Sequence, residues 1–386
     1  MNAFRFQTVP TLVVEAGAAR RLGALLREQF ATLSRLCVVT DGFLYKSGLL
    51  TAALADLALH GWTVTVIDDV IADPPEQVVL AAAERAKVFN AEIVLGLGGG
   101  SSMDVAKLLA VLSPGTQPLS EMYGIRKVTG NRLPLVQMPT TAGTGSEVTA
   151  VSIVTTGETT KMGVVAPQLM ADLAVLDAEL TMGLPPQATA ATGIDAMVHA
   201  IEAYTSLHLK NPVSDALAVE ALRLLSQNLL VVCEDGQNTA AREAMLLGAM
   251  FAGQSFANAP VAAVHALAYP LGGIFHVAHG LSNALVLPHV MRFNAPAAST
   301  LYAKLSDVIL PTPVEGDDER KTFALVDHIE GLIAKTGIPS KLRDVGVNRE
   351  DIPRLAQDAM LQQRLLVNNP RPVTEADAVA IYSAAF

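Results

Sequence analysis

A short segment in the middle of the chain carries a carboxylate and an imidazole spaced one helical turn apart. Asp195 and His199 stand at positions i and i+4 within residues 193–201, so a helix would present both side chains on one face. The residues around them are apolar on all sides, which predicts a buried helix. A buried carboxylate and imidazole need polar partners. Two interpretations stay open for this segment alone: a divalent metal site, or a hydrogen-bonded Asp–His pair in the core.

A second segment supplies more imidazoles. His265, His276 and His279 are three of the chain's 8 histidines and fall within 15 residues. We expect Pro270 and the glycine pair at 272–273 to break the helix after the first histidine, so that a ligand returns at the start of the next helix. Two such histidines would complete a metal site together with Asp195 and His199. Three imidazoles and a carboxylate, without thiolates, suit Fe(II) or Zn(II).

A glycine loop in the first half of the chain has the features of an anion site. Residues 98–107 follow a strand pattern and open a helix. Consecutive glycines let backbone N–H groups approach an anion, and the helix N-terminus adds the positive end of its dipole. A diphosphate is the natural occupant, and the alternative is a tight strand-to-helix turn with nothing bound. The dinucleotide fingerprint GxGxxG does not fit, because Ser101 stands in place of its third glycine.

Two further features bear on a nucleotide site. Asp41 follows the strand pattern at 36–40. Its carboxylate would accept hydrogen bonds from ribose hydroxyls if the sheet places that strand beside the glycine strand. The alternative, equally open, is that Asp41 only forms an Asp-Gly turn. Residues 139–147 form a second loop of small and hydroxyl-bearing residues, which suits a phosphate or a nicotinamide carboxamide, although such clusters are also ordinary loops. Two such loops in one α/β domain favour a dinucleotide site.

The elements that must position these residues follow from periodicity. Short apolar runs alternate with helical patterns over the first part of the chain, which predicts a parallel sheet with helices on both sides. From residues 183–186 onward the sequence is rich in Ala and Leu with helical periods, and the charge run at 315–321 is expected to be a solvated loop. We therefore predict an α/β domain at 1–183 and an all-helical domain at 184–386. The strand patterns are 36–40, 63–67, 92–96, 134–138, 148–155 and 173–177, and the clearest helical patterns are 49–60 and 75–90.

Composition bounds the class of protein. The chain has 386 residues, of which 51% are hydrophobic and 17% charged, against a usual charged fraction of about 25%. A large core and surface hidden in subunit contacts are therefore expected, as in a homodimer or larger homo-oligomer. The net charge of −10 disfavours nucleic acid and anionic membranes as partners. We find no signal-peptide pattern, no long uninterrupted apolar run and only two cysteines, and so expect a soluble cytoplasmic protein.

Four motifs, in order, resemble the iron-containing (group III) alcohol dehydrogenase family: GGGSSMDVAK, PTTAGTGSEVT, GIDAMVHAIEAY and HALAYPLGGIFHVAHG. The resemblance runs end to end, as far as residues 369–375. It implies a Rossmann-like NAD-binding α/β domain, an all-α metal-binding domain and an active site in the cleft between them. It also implies that the ligands of Fe(II), or of Zn(II), are Asp195, His199, His265 and His279. The expected coenzyme positions are Asp41, Gly98, Gly99, Gly100, Ser101, Ser102, Thr140, Thr141, Thr144 and Lys161, to which we add Asp104 of the glycine motif.

The sequence departs from the family at one position. Many members carry a second histidine four residues after the third ligand, near the nicotinamide, and here that residue is Tyr269. If the helix continues from His265, Tyr269 lies on the same face, where it would shape the substrate pocket; the alternative is a core tyrosine packed before Pro270. His276 has a different spacing from the family histidine, and His289 is expected to be structural.

The predicted activity is hydride transfer between a small alcohol or carbonyl compound and NAD(H), with the metal as a Lewis acid. One alternative is a dehydroquinate synthase-like lyase, which also uses NAD and a metal. Such an enzyme needs basic residues to hold a phosphate, and residues 259–290 contain no Lys or Arg. A second alternative, a non-catalytic nucleotide sensor, has no use for four metal ligands.

Overall fold

The computed structural model describes residues 3–157 and 160–386, and its contacts divide them into two units. One unit is Thr8–Gly183; the other contains Leu184–Phe386 together with the segment that ends at Gln7. We expected that first segment to belong to the α/β domain. It groups with the helices instead, because the backbone N–H and C=O of Gln7 both hydrogen-bond to the Asn258 side chain, at 2.7 and 2.8 Å.

The α/β unit is built on a six-stranded parallel sheet with the strand order β1-β9-β6-β4-β2-β3. A smaller sheet has the order β5-β8-β7. The strands are β1 (Thr11–Val14), β2 (Arg35–Asp41), β3 (Thr63–Val70), β4 (Ile93–Gly98), β5 (Gly124–Ile125), β6 (Leu135–Pro139), β7 (Val151–Thr156), β8 (Thr160–Val165) and β9 (Leu173–Leu176). The helices are α1 (Leu22–Gln29), α2 (Gly42–Ser47), α3 (Thr51–Leu59), α4 (Glu76–Val88) and α5 (Gly100–Leu112).

The large sheet confirms the predicted fold class. Every residue of β4, β6 and β9 is buried, as expected for a parallel sheet covered on both faces. On one side Leu26 of α1 and Leu57 of α3 pack in a common core with Leu95 of β4 and Val136 of β6. The run predicted at 148–155 is also a strand, but β7 pairs antiparallel with β8 in the smaller sheet. Its alternating burial is typical of a strand with one open face.

The second unit is all helical, and residues 184–386 contain no strand. Helix α6 is buried over most of its surface because α7, α8 and α10 pack against it. Its last four turns therefore lie inside the unit, where polar side chains require partners. The helices are α6 (Pro186–Thr205), α7 (Pro212–Glu234), α8 (Thr239–Asn258), α9 (Ala263–Phe275), α10 (His279–Ile309), α11 (Asp318–Lys335), α12 (Ile352–Met360), α13 (Gln363–Leu366) and α14 (Glu375–Ala385).

Two expectations about helix boundaries are wrong. Helix α9 does not break at Pro270 but runs through it and ends at Phe275, where His276 takes the left-handed conformation with φ 54°. The next helix, α10, begins at His279. The charged run at 315–321 is not all loop, since α11 begins at Asp318, and the Asp317 side chain caps it by accepting from the Arg320 backbone N–H at 2.9 Å. An aspartate at the N-cap stabilises a helix start.

Helix α7 is long and apolar enough to cross a membrane by length and composition alone, with a mean hydropathy of 1.5. Its buried residues, which include Leu222, Leu225 and Leu229, recur at helical spacing. The helix packs against α6 and α8. One face of α7 is therefore buried inside the helical unit, although only 33% of its apolar window is buried.

Candidate active site

Four side chains from three helices converge in the helical unit. Asp195 and His199 come from α6, His265 from α9 and His279 from the first position of α10, and one donor atom of each lies within 4.8 Å of the others. Asp195 Oδ1 is 3.6 Å from His279 Nε2 and 3.9 Å from His265 Nε2. Four donors at bond lengths of about 2.1 Å around a tetrahedral ion stand about 3.4 Å apart. The observed spacing is therefore close to that of a single-ion site.

Packing fixes the orientation of the rings. The His199 ring stacks on Phe256 with centroids 4.4 Å apart and on His265 with centroids 4.7 Å apart. Asp195, His199 and His265 are buried, whereas the His279 side chain is 40% exposed. The cluster is therefore buried at three of its four residues and accessible to solvent at His279.

A glycine lets the start of α10 approach α6. A Cβ atom on Gly280 would lie 2.4 Å from the backbone oxygen of Ala191 and 3.3 Å from Cβ of Asp195. No side chain fits in that space. The absence of a side chain at Gly280 therefore allows His279, the preceding residue, to stand beside Asp195.

The chemistry of the donor set fits a divalent cation. Burial raises the pKa of the Asp195 carboxyl, but the three histidines and the Asn283 amide together bring that pKa below its ordinary value. The side-chain Nδ2 of Asn283 donates to Asp195 at 2.6 Å, and its buried Oδ1 accepts no hydrogen bond from the described residues. Three imidazole nitrogens and a carboxylate bind Fe(II) or Zn(II).

Two residues around the cluster were not singled out from the sequence, namely Glu202 and Asn283. Glu202 Oε2 lies 2.6 Å from His265 Nδ1. Its signal was available, because Asp195, His199 and Glu202 stand at i, i+4 and i+7 and share one helix face. Asn283 follows His279 by one helical turn, which places both side chains on one face of α10.

The glycine loop forms the start of α5 as predicted. A Cβ atom on Gly98 would lie 2.7 Å from Ser102 Oγ, and one on Gly100 would lie 2.8 Å from Thr144 Cγ2. Within the described chain no side chain caps the N-terminus of α5. N–H groups without a side-chain cap at a helix start, with glycines that permit close approach, fit a phosphate group.

Asp41 caps a helix, and its position leaves the predicted contact with a ribose open. Strand β2 pairs with β4, with Val39 opposite Gly96, so Asp41 and the glycine loop lie at the same edge of the sheet. Its Oδ1 accepts from the backbone N–H groups of Phe43 and Leu44, at 3.0 and 2.9 Å, which caps α2. No described residue donates to Oδ2. One carboxylate oxygen thus caps a helix and the other remains available to a ligand.

Lys161 is linked to the glycine loop through Asp73. The Lys161 ammonium lies 2.8 Å from the Asp73 carboxylate and donates to Thr155 Oγ1 at 3.0 Å. The Asp73 backbone N–H donates to Ser101 Oγ at 3.3 Å. The structure therefore brings Lys161 and Ser101 to the same end of the α/β unit.

The second loop follows β6 and lies against the first. The Thr140 N–H donates to the Gly98 carbonyl at 3.0 Å. Thr140 is buried, while Thr141 and Thr144 are partly exposed. These two hydroxyls adjoin the glycine loop, because both lie near the space above Gly99 and Gly100.

Asp104 has a different environment from the one expected of a coenzyme contact. Its Oδ1 accepts from Ser146 Oγ at 2.6 Å, and its Oδ2 accepts from the Ile153 N–H at 2.8 Å. The buried Lys107 ammonium lies 3.5 Å away. Asp104 therefore ties α5 to the second loop and to β7.

Tyr269 lies beside the ligand cluster. Because α9 is continuous from His265, Tyr269 stands one turn further on, with its ring centroid 6.1 Å from that of His279. Its side chain is partly exposed, whereas Pro270 is buried.

The other two histidines considered from the sequence lie elsewhere than in the four-residue cluster. His276 is exposed and ends α9. His289 is partly buried, and burial lowers the pKa of its imidazole.

Comparisons with known proteins agree with this geometry. Residues 10–178 match the family model "Iron-containing alcohol dehydrogenase", and residues 189–386 match "Fe-containing alcohol dehydrogenase family, C-terminal". Long-chain-alcohol dehydrogenase 1 of Geobacillus thermodenitrificans is 40% identical over 95% of this chain and 91% of its own. 1,3-Propanediol dehydrogenase of Citrobacter freundii is 36% identical over 90% of each chain.

Solved structures are similar over the full length. A crystal structure of 1,3-propanediol oxidoreductase is 33% identical, covers 100% of both chains and has a TM-score of 0.95. Sulfoacetaldehyde reductase from Bifidobacterium kashiwanohense, solved in complex with NAD+, is 27% identical, covers 100% of this chain and 99% of its own, and has a TM-score of 0.88.

Proposed function

The chain belongs to the iron-containing alcohol dehydrogenase family and is an oxidoreductase of alcohols and aldehydes, and we propose that it uses NAD(H) and Fe(II), with Zn(II) as the alternative ion. The observation that carries the proposal is the convergence of one carboxylate and three imidazoles within 4.8 Å. The predicted family, fold class and enzyme class are confirmed by these matches.

We assign the metal ligands as Asp195, His199, His265 and His279. These residues would hold an ion that supplies Lewis acidity, and a bound NAD would supply the hydride chemistry. Asp195 brings the negative charge that favours a divalent cation. The exposure of His279 leaves the substrate a side from which to approach. The ring packing of His199 and His265 holds the donors before substrate arrives, which lowers the cost of reaching a reactive geometry.

Tyr269 is proposed to shape the substrate pocket and to donate a hydrogen bond to the substrate oxygen. A phenol has an ordinary pKa of about 10 and is a poor base at neutral pH. Tyr269 is therefore not the group that would take the proton from the alcohol. The proximity of the Tyr269 ring to His279, 6.1 Å between centroids, supports this role.

The proposed NAD site lies in the α/β unit. The uncapped start of α5 would bind the diphosphate, and Oδ2 of Asp41 would accept hydrogen bonds from the adenosine ribose hydroxyls. A carboxylate there repels a 2′-phosphate, so NAD is preferred over NADP. Two relatives support this choice, the NAD+ complex of sulfoacetaldehyde reductase and the 31% identical NAD-dependent methanol dehydrogenase of Bacillus methanolicus. The contacting residues proposed are Asp41, Gly98, Gly99, Gly100, Ser101, Ser102, Thr140, Thr141, Thr144 and Lys161, with Asp104 as a support of the second loop.

We further propose a cytoplasmic homo-oligomer. The low charged fraction of 17% and the exposed side chains of Leu12 and Val14 on the edge strand β1 favour subunit contacts. The thiols of Cys37 and Cys233 are both unpaired, as is common in a reducing compartment. Light scattering coupled to gel filtration measures the assembly.

The decisive experiment combines metal analysis with NADH absorbance on a panel of alcohols and aldehydes. The panel contains ethanol, 1-butanol, 1,3-propanediol and sulfoacetaldehyde. His279→Ala should keep the fold by circular dichroism but lose both the metal and turnover. His208→Ala is the control, because His208 is exposed and outside the cluster. Full activity of metal-free His279→Ala would overturn the proposal.

A further inference from the structure

Glu202 is a buried carboxylate with both oxygens engaged. It is 4% exposed and lies on α6, one turn beyond His199. Oε2 lies 2.6 Å from His265 Nδ1, and Oε1 accepts from the Val264 backbone N–H at 2.7 Å. The carboxylate therefore connects α6 to the first turn of α9.

The hydrogen bond to His265 determines which ring nitrogen carries the proton. A carboxylate that already accepts from Val264 needs a second donor, so His265 Nδ1 bears the hydrogen. The other nitrogen, Nε2, then keeps its lone pair and faces Asp195 Oδ1 at 3.9 Å. A hydrogen bond of this kind orients a metal-binding histidine and strengthens its donor nitrogen.

Helix capping alone does not account for Glu202. Helix α9 has Ala262 at its N-cap, with no side-chain cap, and the Val264 N–H needs one acceptor. A serine or asparagine at position 262 would supply an acceptor locally, without burying a carboxylate. The second oxygen is directed at His265, which a cap does not require.

We propose that Glu202 is a positioning residue of the metal centre, which fixes the tautomer of His265 and thereby sets how tightly the site holds its ion. This inference rests on the proposed function, because it takes the four-residue cluster as the metal site. Glu202 does not itself bind the ion, since it contacts the nitrogen of His265 that faces away from the cluster.

Glu202→Gln is a sharp test because the amide conflicts with one of its two partners. If the amide oxygen accepts from Val264, the NH₂ group faces Nδ1 of His265 and drives the proton to Nε2, where the ion must bind. If the amide turns over, its NH₂ group meets the Val264 N–H. Either arrangement weakens the site while the size of the side chain is preserved.

The measurement is Co(II) affinity of the metal-free protein, by competition with a chelator. We expect Glu202→Gln to bind Co(II) about 10- to 100-fold more weakly, with NAD affinity unchanged and a lower kcat at saturating Co(II). Glu243→Gln, on the neighbouring helix α8, is the control. Equal Co(II) affinity in folded Glu202→Gln and in the unmodified protein would overturn the inference. Failure of the unmodified protein to bind Co(II) would instead overturn the proposed function.

A second measurement needs no variant at Glu202. Nitrogen NMR of histidine-labelled, metal-free protein reports the tautomer of each ring, and the His265 signals are assigned by their loss in His265→Ala. We expect His265 to carry its proton on Nδ1. A proton on Nε2 at neutral pH would contradict the inference even if Glu202→Gln does not fold.

Discussion

Replacing Gly280 with alanine should separate the ligands of the candidate metal site. The added Cβ atom would lie 2.4 Å from the Ala191 oxygen and 2.8 Å from the Ala191 carbonyl carbon. Carbon–oxygen contacts in proteins are about 3.3 Å or longer, so the start of α10 must shift from α6 by roughly 1 Å. Metal–ligand distances tolerate about 0.2 Å. His279 would therefore leave bonding distance of an ion held by the other three ligands.

The expected result is a Co(II) affinity reduced by about 10- to 100-fold and an unfolding free energy lowered by about 1–3 kcal/mol from overpacking. Both are measured on metal-free protein, by chelator competition and by urea denaturation. Gly331→Ala is a matched control, because this glycine lies inside helix α11 and a Cβ there meets nothing within 4 Å. It should raise stability by about 0.5–1 kcal/mol without altering metal affinity.

The reasoning would be refuted if Gly280→Ala bound Co(II) as tightly as the unmodified protein. That result would mean that α10 adjusts without moving His279. A loss of affinity in the Gly331→Ala control would also refute it, because the effect would then not depend on the contact with Ala191.

Three further predictions concern the coenzyme, the substrate and pH. Asp41→Gly should narrow or reverse the preference for NAD, measured as the ratio of kcat/KM for NAD and NADP; equal values in the unmodified protein would leave Asp41 as a helix cap only. Tyr269→Phe should retain most of kcat, whereas Tyr269→Ala should chiefly change KM and the substrate range; a loss of about a thousandfold in Tyr269→Phe, with metal and coenzyme bound, would make the phenol an acid–base catalyst. Burial raises the pKa of the Glu147 carboxyl from 4.5 to about 7, so the folded protein keeps this proton where the unfolded chain has lost it. The contribution of Glu147 to the free energy of unfolding should therefore fall by about 3 kcal/mol as pH rises through that range. Urea denaturation should show that the stability of Glu147→Gln, relative to the unmodified protein, is greater at pH 8 than at pH 5. The same difference in unfolding free energy at both pH values would contradict this prediction.

The parallel sheet was predictable because its central strands are buried on both faces. Within the predicted runs, residues 93–96 and 173–176 are apolar without interruption, and they lie in β4 and β9. Strand β8 was not predicted, because its polar Thr160 and Lys161 and its Gly163 interrupt the apolar pattern. It is defined by pairing with β7, which local sequence does not encode.

The sequence predicted which four residues form the candidate metal site, but it did not predict the helix boundaries and contacts that position them. Asp195 and His199 are adjacent on a helix, so their spacing alone brings them together. The break expected at Pro270 did not occur, and α9 ends instead where His276 adopts the left-handed conformation. The hydrogen bond between Glu202 and His265 joins two different helices. Helical spacing predicts which residues are neighbours within one helix, so it could not predict this contact.

The helix cap formed by Asp41 limits which residues this position tolerates. One oxygen of this residue holds the start of α2 through the N–H groups of Phe43 and Leu44. Substitution by an aliphatic residue would remove that cap at a cost of about 1 kcal/mol, whereas Asn, Ser, Thr or Gly preserves most of it. If Asp41 holds the coenzyme ribose as proposed, these small residues are therefore the substitutions that would remove the carboxylate, and so admit a 2′-phosphate, while α2 keeps its cap.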